Sequence, residues 1–117
     1  MFDKMKTIPK KAIKFSGITK KYIKNSNMCK VTFLLPGSAA PDSKRVHIVG
    51  EFNGWNTQAN PMKRLKNGDY TIALEFESGS EYQFRYFIDE SKWENDHHAD
   101  RYVRSPYGDC DNSVVIV

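Results

Sequence analysis

The stretch YTIALEFESGSEYQFRYFID, residues 70–89, decides the fold. Apolar residues occupy every second position: Tyr70, Ile72, Leu74 and Phe76, then Tyr82, Phe84, Tyr86 and Ile88. Successive side chains of a strand point to opposite faces, so this period of two predicts two half-buried β-strands. The opposite face of the second strand carries Gln83, Arg85 and Phe87. Ser78-Gly79-Ser80 predicts a turn between the two strands.

Further short strands are predicted on both sides of this stretch. They are CKVTFLLP from residue 29, RVHIVGEF from residue 45, PMKRL from residue 61, a short segment at Trp93 and the closing run from residue 112 to 117. Lys66-Asn67-Gly68-Asp69 predicts a hairpin turn of the Asn-Gly kind. About seven short strands with turn signals between them predict an antiparallel β-sandwich.

The positive charge is concentrated at the N-terminus. Residues 1–30 contain nine lysines and one acid, whereas residues 31–117 contain thirteen acids and nine basic residues. The mildly acidic remainder argues against a nucleic-acid-binding domain. We therefore predict a basic arm over 1–28 and a β-sandwich domain over 29–117. Part of the arm, near 11–24, has apolar residues at helical spacing, so a short helix and a flexible arm both remain open.

The two cysteines, Cys29 and Cys110, are predicted to be reduced thiols of a cytoplasmic protein. Nothing resembles a secretory signal, and no apolar run is long enough to span a bilayer. Whether the two thiols lie close together is not readable from the sequence.

Neither a catalytic nor a metal site is predicted. Glu75 and Glu77 lie two apart, as a carboxylate pair would, but such a pair more often forms the solvated outer face of a sheet. His97 and His98 are adjacent, so their side chains would point apart on a strand, and no cysteine is near them. We expect no cofactor.

A tryptophan beside a turn raises a sharper question. In HIVGEFNGWN, residues 47–56, Trp55 follows Asn53-Gly54, where a chain usually meets water. Trp55, Trp93 and Arg85 have the character of a sugar site, since aromatic rings stack on sugar faces and polar groups bond the hydroxyls. From composition alone, core packing and ligand contact both remain open for the two tryptophans.

Four segments carry a resemblance to a known family. VGEFNGWN, KRLKNGDYTIALEF, EYQFRYFIDESKWEND and SPYGDCDNSVVIV occur in the order and spacing of an α-glucan-binding domain. The chain resembles the family 48 carbohydrate-binding modules, or isoamylase N-terminal-like domains, which include the glycogen-binding domain of the β subunit of AMP-activated protein kinase. The resemblance covers about residues 29–117 and implies an immunoglobulin-like sandwich.

The resemblance also implies a set of sugar-binding residues. Trp55 and Trp93 match the two tryptophans that stack on glucose rings, and Arg85 stands where the kinase domain has a lysine that bonds sugar hydroxyls. Tyr107 matches a bulky apolar residue that enters the curve of the glucan. The remaining matched positions, where the kinase domain has polar residues or an asparagine common before the last strand, are Asp109, Asp111 and Asn112.

The function implied by the resemblance is non-catalytic binding of an α-1,4-glucan such as glycogen, starch or maltodextrin. The printed chain ends with the last predicted strand, so we expect no catalytic barrel in it and no enzymatic activity. The alternative is a protein-interaction or regulatory module that associates with a glycogen-metabolising enzyme through its basic arm.

Overall fold

A computed structural model describes residues 17–108 and 110–117 of the chain. The described residues form two one-turn 3-10 helices, Gly37–Ala39 and Glu51–Asn53, and nine β-strands. The strands are β1 (Gly17–Tyr22), β2 (Met28–Leu35), β3 (Val46–Gly50), β4 (Lys63–Arg64), β5 (Tyr70–Glu77), β6 (Glu81–Ile88), β7 (Lys92–Glu94), β8 (Arg101–Arg104) and β9 (Asp111–Ile116). Within these ranges, no helix has the length and apolar character needed to cross a membrane.

The strands form two antiparallel sheets. One sheet has the order β1-β2-β5-β4, and the other has the order β3-β6-β9-β8, with β7 also paired to β6. The inner faces of the two sheets pack together, because the core cluster draws residues from both, including Phe33 of β2 and Phe84 of β6, whose rings are 5.1 Å apart. The predicted all-β, immunoglobulin-like sandwich is confirmed, with two more strands than the sequence indicated.

The alternation along β5 and β6 is confirmed. Tyr70 and Phe76 of β5 are buried, and Glu75 and Glu77 on the opposite face are exposed. In β6 the inward residues Phe84, Tyr86 and Ile88 are almost fully buried and Tyr82 is partly buried, whereas the outer residues keep part of their surface exposed. The burial of alternate apolar side chains sets which face of each strand points to the core.

The turns at the two ends of β5 make different connections. Lys66–Asp69 closes a hairpin, as predicted, since Leu65 N donates to Asp69 O at 2.7 Å and β4 pairs with β5. Ser78–Ser80 instead carries the chain from β5 in one sheet to β6 in the other. The Gly79 N–H donates to Val117 O at 2.7 Å, which ties this crossing to the end of β9.

The helical alternative over 11–24 is wrong for its described part. Gly17–Tyr22 is an edge strand that pairs with β2 in full register, so the sheet begins before residue 29, within the segment assigned to the arm. Residues 1–16 lie outside the described residues. These residues form a strand and not a helix because the edge of β2 has backbone N–H and C=O groups that need partners. In the strand, Ile18 also packs against the core.

An ion pair closes the open side of the sandwich at β1. Lys20 Nζ lies 2.7 Å from Asp100 Oδ2, and the same carboxylate oxygen accepts a hydrogen bond from Ile116 N at 2.7 Å. Gly17 lies against His98, where an added Cβ would come within 2.6 Å of the histidine Cβ. The first strand of one sheet is therefore held against the far edge of the other.

Both cysteines are free thiols. Cys29 is buried in the core, one residue from the Met28–Glu77 pair at one end of the sandwich. Cys110 is exposed and precedes β9 at the opposite end. The two cysteines therefore lie at opposite ends of the sandwich.

Asp96 is a buried carboxylate at the edge of the core, with 2% of its surface exposed. Tyr86 OH donates to its Oδ2 at 2.6 Å, and His98 N donates to its Oδ1 at 2.7 Å. Burial raises the pKa of Asp96 above its ordinary 3.8. The pKa of Tyr86 is raised well above 10, mainly because the side chain is buried and secondly because the Asp96 carboxylate is close to it.

Asp96 should make stability depend on pH. Because folding raises its pKa, its stabilising contribution is complete below pH 3.8 and is lost as the pH rises through the folded-state value. Asp96→Asn does not titrate. We expect the free energy of unfolding of the variant, relative to the native chain, to increase from about pH 4 to about pH 7 in urea titrations.

Gln58→Asn, at an exposed site, is the control, because it changes no ionisable group and its difference from the native chain should therefore not change over this range. A difference for Asp96→Asn that is constant or falls with rising pH would contradict the assignment.

Candidate functional site

A cleft of about 590 Å³ opens on the outer face of the β3-β6-β9-β8 sheet. Five of the seven residues proposed from the sequence line it: Trp55, Arg85, Trp93, Tyr107 and Asn112. They come from a turn after β3, from β6, β7 and β9, and from the loop between β8 and β9. Segments far apart in the chain therefore converge on one concave surface.

The other two proposed residues are placed differently. Asp111 is exposed outside the lining, where its Oδ1 lies 3.5 Å from Arg104 Nε. Asp109 lies outside the described residues.

The structure adds five lining residues that the sequence analysis did not propose as site residues: Glu51, Thr57, Gln83, Ser105 and Pro106. Gln83 was readable in part, because it shares the outer face of β6 with Arg85. Glu51 lies in a one-turn 3-10 helix and the others lie in turns and loops, where no periodic pattern indicates side-chain direction.

The turn that carries Trp55 is fixed by Asn53. The side chain of Asn53 accepts a hydrogen bond from Gly50 N at 3.0 Å and donates to Ile48 O at 3.1 Å and to Asn60 Oδ1 at 2.8 Å. Trp55 N donates to Gly50 O at 2.8 Å. These bonds hold the turn so that 37% of the Trp55 surface stays exposed.

Trp55 has an unusual backbone conformation. Its φ is 59°, directly after Gly54 at 65°, so both residues are in the left-handed region. For a bulky residue this region is a genuine outlier, and such strain often occurs at functional sites. The turn thus maintains an unfavourable conformation that leaves the indole at the cleft.

Trp93 and Arg85 form the second part of the site. Trp93 is the cross-strand partner of Phe87, and their rings stack with centroids 4.3 Å apart. The Arg85 Cζ lies 5.1 Å from the Trp93 ring centroid, and Arg85 Nη1 donates to Cys110 Sγ at 3.2 Å. Stacking and hydrogen bonding together orient the guanidinium.

Tyr107 forms the projecting rim of the cleft, with 94% of its surface exposed. Its backbone N donates to Ser105 Oγ at 3.2 Å, which fixes the start of the loop. An aromatic ring this exposed contributes little to the core, so its apolar surface is free to pack against a ligand.

The residues considered for other chemistry lie elsewhere. Glu75 and Glu77 are on β5, in the sheet opposite the cleft. His97 Nε2 is 3.0 Å from Glu94 Oε2, and Asp96 is used by Tyr86 and the His98 backbone. Within the described lining, Glu51 and Arg85 are the charged residues.

A comparison with protein-family models matches most of the described chain to a known family. It is carbohydrate-binding module 48, the isoamylase N-terminal domain, which matches residues 39–108. The matched range includes Trp55, Arg85, Trp93 and Tyr107, and it ends before β9.

Curated relatives are glucan branching enzymes. The 1,4-alpha-glucan branching enzyme of Photobacterium profundum is 37% identical over 46 residues, which is 38% of this chain and 6% of that enzyme. The enzyme of Butyrivibrio fibrisolvens is 53% identical over 30 residues, 26% of this chain and 5% of the enzyme. That of Emericella nidulans is 44% identical over 41 residues, 35% of this chain and 6% of the enzyme. The similarity thus spans a small part of each relative.

Among solved structures, the enterochelin esterase of Shigella flexneri superposes with a TM-score of 0.67 at 12% identity. The match covers 87% of this chain and 33% of the esterase chain. A second structure of the Shigella flexneri esterase, determined in the presence of 2,3-dihydroxy-N-benzoyl-glycine, gives a TM-score of 0.66 at 11% identity. At this identity the likeness shows the shared fold alone.

The strain at Trp55 can be measured with two variants that both lack the indole. Trp55→Ala keeps a Cβ in the left-handed region, whereas Trp55→Gly does not. We expect the glycine variant to be more stable than the alanine variant by about 1 kcal/mol in urea unfolding.

The same pair of substitutions at Trp93 is the control, since Trp93 lies on a regular strand. There glycine should be the less stable variant, by about 0.5–1 kcal/mol. Equal stabilities of Trp55→Ala and Trp55→Gly would show that no strain is stored at the turn.

Proposed function

Because the chain belongs to the carbohydrate-binding module 48 family, we propose that it binds an α-1,4-linked glucan without catalysis. The observation that carries this proposal is the convergence of Trp55, Trp93 and Arg85 on one open cleft. The ligand is glycogen, starch or a maltodextrin.

The chemistry of the cleft supports a sugar as its ligand. Sugar rings have C–H faces that pack on aromatic rings and hydroxyl rims that bond polar groups. Trp55 and Trp93 are both more than one-third exposed, and Arg85 lies against the Trp93 ring with its guanidinium oriented. Partly exposed indoles lose little conformational freedom on binding, because their positions are already held by the turn and by stacking on Phe87.

The type of glucan is proposed from the relatives. Each named enzyme is a 1,4-alpha-glucan branching enzyme, and the similar region is 5–6% of its length. A module of that size would supply binding of the glucan, and the branching chemistry would belong to the rest of those enzymes.

The absence of catalysis is proposed from the carboxylates. Glycoside hydrolysis ordinarily uses two carboxyl groups on opposite sides of the scissile bond. In the described lining, Glu51 is the single carboxylate, and its Oε1 already accepts a hydrogen bond from Gln83 N at 2.8 Å. We therefore assign Glu51 a structural role, in which its hydrogen bond to Gln83 N helps to fix the shape of the cleft.

We expect weak affinity, with Kd on the order of micromolar to millimolar, because a few stacked rings must offset the ordering of a flexible oligosaccharide. Titration with maltoheptaose or β-cyclodextrin should change the tryptophan fluorescence, since both tryptophans belong to the site. Cellohexaose, which has the same sugar units in a different linkage, should change it much less.

Removal of one indole tests the proposal directly. Trp55→Ala should abolish retardation of the protein in a native gel containing glycogen, because a stacking surface is lost. Tyr22→Ala removes an exposed aromatic residue from the other sheet and should keep full retardation.

Circular dichroism must show that both variants are folded. Retention of glycogen binding by a folded Trp55→Ala would contradict the site, and release of reducing sugar by the protein alone would contradict the absence of catalysis.

A further inference from the structure

Gln83 and Asn112 form a hydrogen-bonded pair at the base of the cleft. Asn112 is 3% exposed, lies on β9, and donates from Nδ2 to Gln83 Oε1 at 2.9 Å. The backbone N of Gln83 donates to Glu51 Oε1 at 2.8 Å. Main chain and side chain of Gln83 are therefore both held by neighbouring elements.

This arrangement determines which end of the Gln83 amide is free. The carbonyl oxygen accepts from Asn112, so the NH₂ group is the end left for other partners. Among residues 17–108 and 110–117, the hydrogen bond from Asn112 is the one that the Gln83 side chain makes. Gln83 thus offers a donor to the cleft that it lines.

Two neighbouring polar atoms are also without partners among residues 17–108 and 110–117. They are Arg85 Nε, a donor, and Asn112 Oδ1, an acceptor, and both are buried. Buried polar atoms in folded proteins are nearly always hydrogen-bonded. Because both atoms have almost no accessible surface, a ligand cannot reach them in this conformation, and the free polar group that the cleft offers is the Gln83 NH₂. A hydroxyl group can accept from one partner and donate to another.

We infer that Gln83 is a further sugar-contacting residue, whose amide NH₂ donates to a sugar hydroxyl, and that Asn112 is a positioning residue that acts through Gln83. This inference rests on the proposed glucan binding and adds to it the direction of one hydrogen bond, from the protein to the sugar. At this point the cleft presents a donor, so the sugar oxygen must accept.

The first test removes the donor while keeping the shape. Gln83→Met retains the length of the side chain but has neither the N–H nor the oxygen that accepts from Asn112, and we expect it to bind maltoheptaose about 3- to 10-fold more weakly. Gln58→Met is the matched control, because Gln58 is exposed and outside the cleft lining, and its affinity should be unchanged.

The second test separates positioning from direct contact with a double-mutant cycle. Asn112→Asp replaces the donor to Gln83 with an acceptor, so the Gln83 amide should rotate and turn its oxygen to the cleft. We expect Asn112→Asp to weaken binding alone but to cost nothing further in a chain that already carries Gln83→Met. Additive losses of affinity would overturn the positioning role. If the aspartate variant does not fold, Asn112→Ser takes its place in the same cycle.

A spectroscopic measurement on the native chain completes the test. The side-chain NH₂ resonances of Gln83 should shift when maltoheptaose is added, and those of Asn112 should already show slow hydrogen exchange in the free protein. An unperturbed Gln83 NH₂ in a sample saturated with sugar would overturn the contact.

Failure of the inference and failure of the proposed function look different. If the native chain binds maltoheptaose and Trp55→Ala does not, an unchanged affinity of Gln83→Met refutes the role of Gln83 alone. If the native chain does not bind maltoheptaose at all, the proposed function and this inference both fall.

Discussion

The pleat of β6 is the constraint on which the rest of the structure depends. Its inward side chains, Phe84 and Tyr86, are fully buried, and its outward side chains, Gln83, Arg85 and Phe87, lie at or beneath the cleft. A slip of one residue in the pairing would exchange these two sets. Pairing with β3, β7 and β9 prevents that slip, so the packing that stabilises the fold also positions the candidate site.

A second constraint acts at the turn after β3. The left-handed conformation of Trp55 is unfavourable, and the hydrogen bonds of Asn53 hold it. Gly50 makes this possible, because an added Cβ would come within 2.5 Å of Gln83 O. The turn therefore lies directly against β6. Trp55 and Arg85 are brought to the same cleft by this close contact between the turn and the strand.

The two faces of the β3-β6-β9-β8 sheet differ in how completely their polar groups are hydrogen-bonded. On the inner face, the polar groups near the core are paired, as Asp96 is with Tyr86 and the His98 backbone. On the outer face, Arg85 Nε, Asn112 Oδ1 and His47 Nδ1 have no partner within the described part of the chain, and the first two belong to residues that line the cleft. Unpaired buried groups lower the stability of the free protein. The outer face therefore gives up some stability at the positions that shape the cleft.

The local sequence pattern determined several strands and turns of this protein. The alternation along residues 70–88, the Asn67-Gly68 hairpin and the placement of Trp55 beside a turn are all readable from neighbouring residues, because strand period and turn chemistry act over a few positions. The tertiary structure alone decided that Gly17–Tyr22 is a strand, since its partner β2 overrides a helical spacing. It likewise decided that the chain changes sheets at Ser78–Ser80, and that Glu51 joins the cleft. Sheet pairing and the convergence of loops depend on contacts between distant segments, and no local period records them.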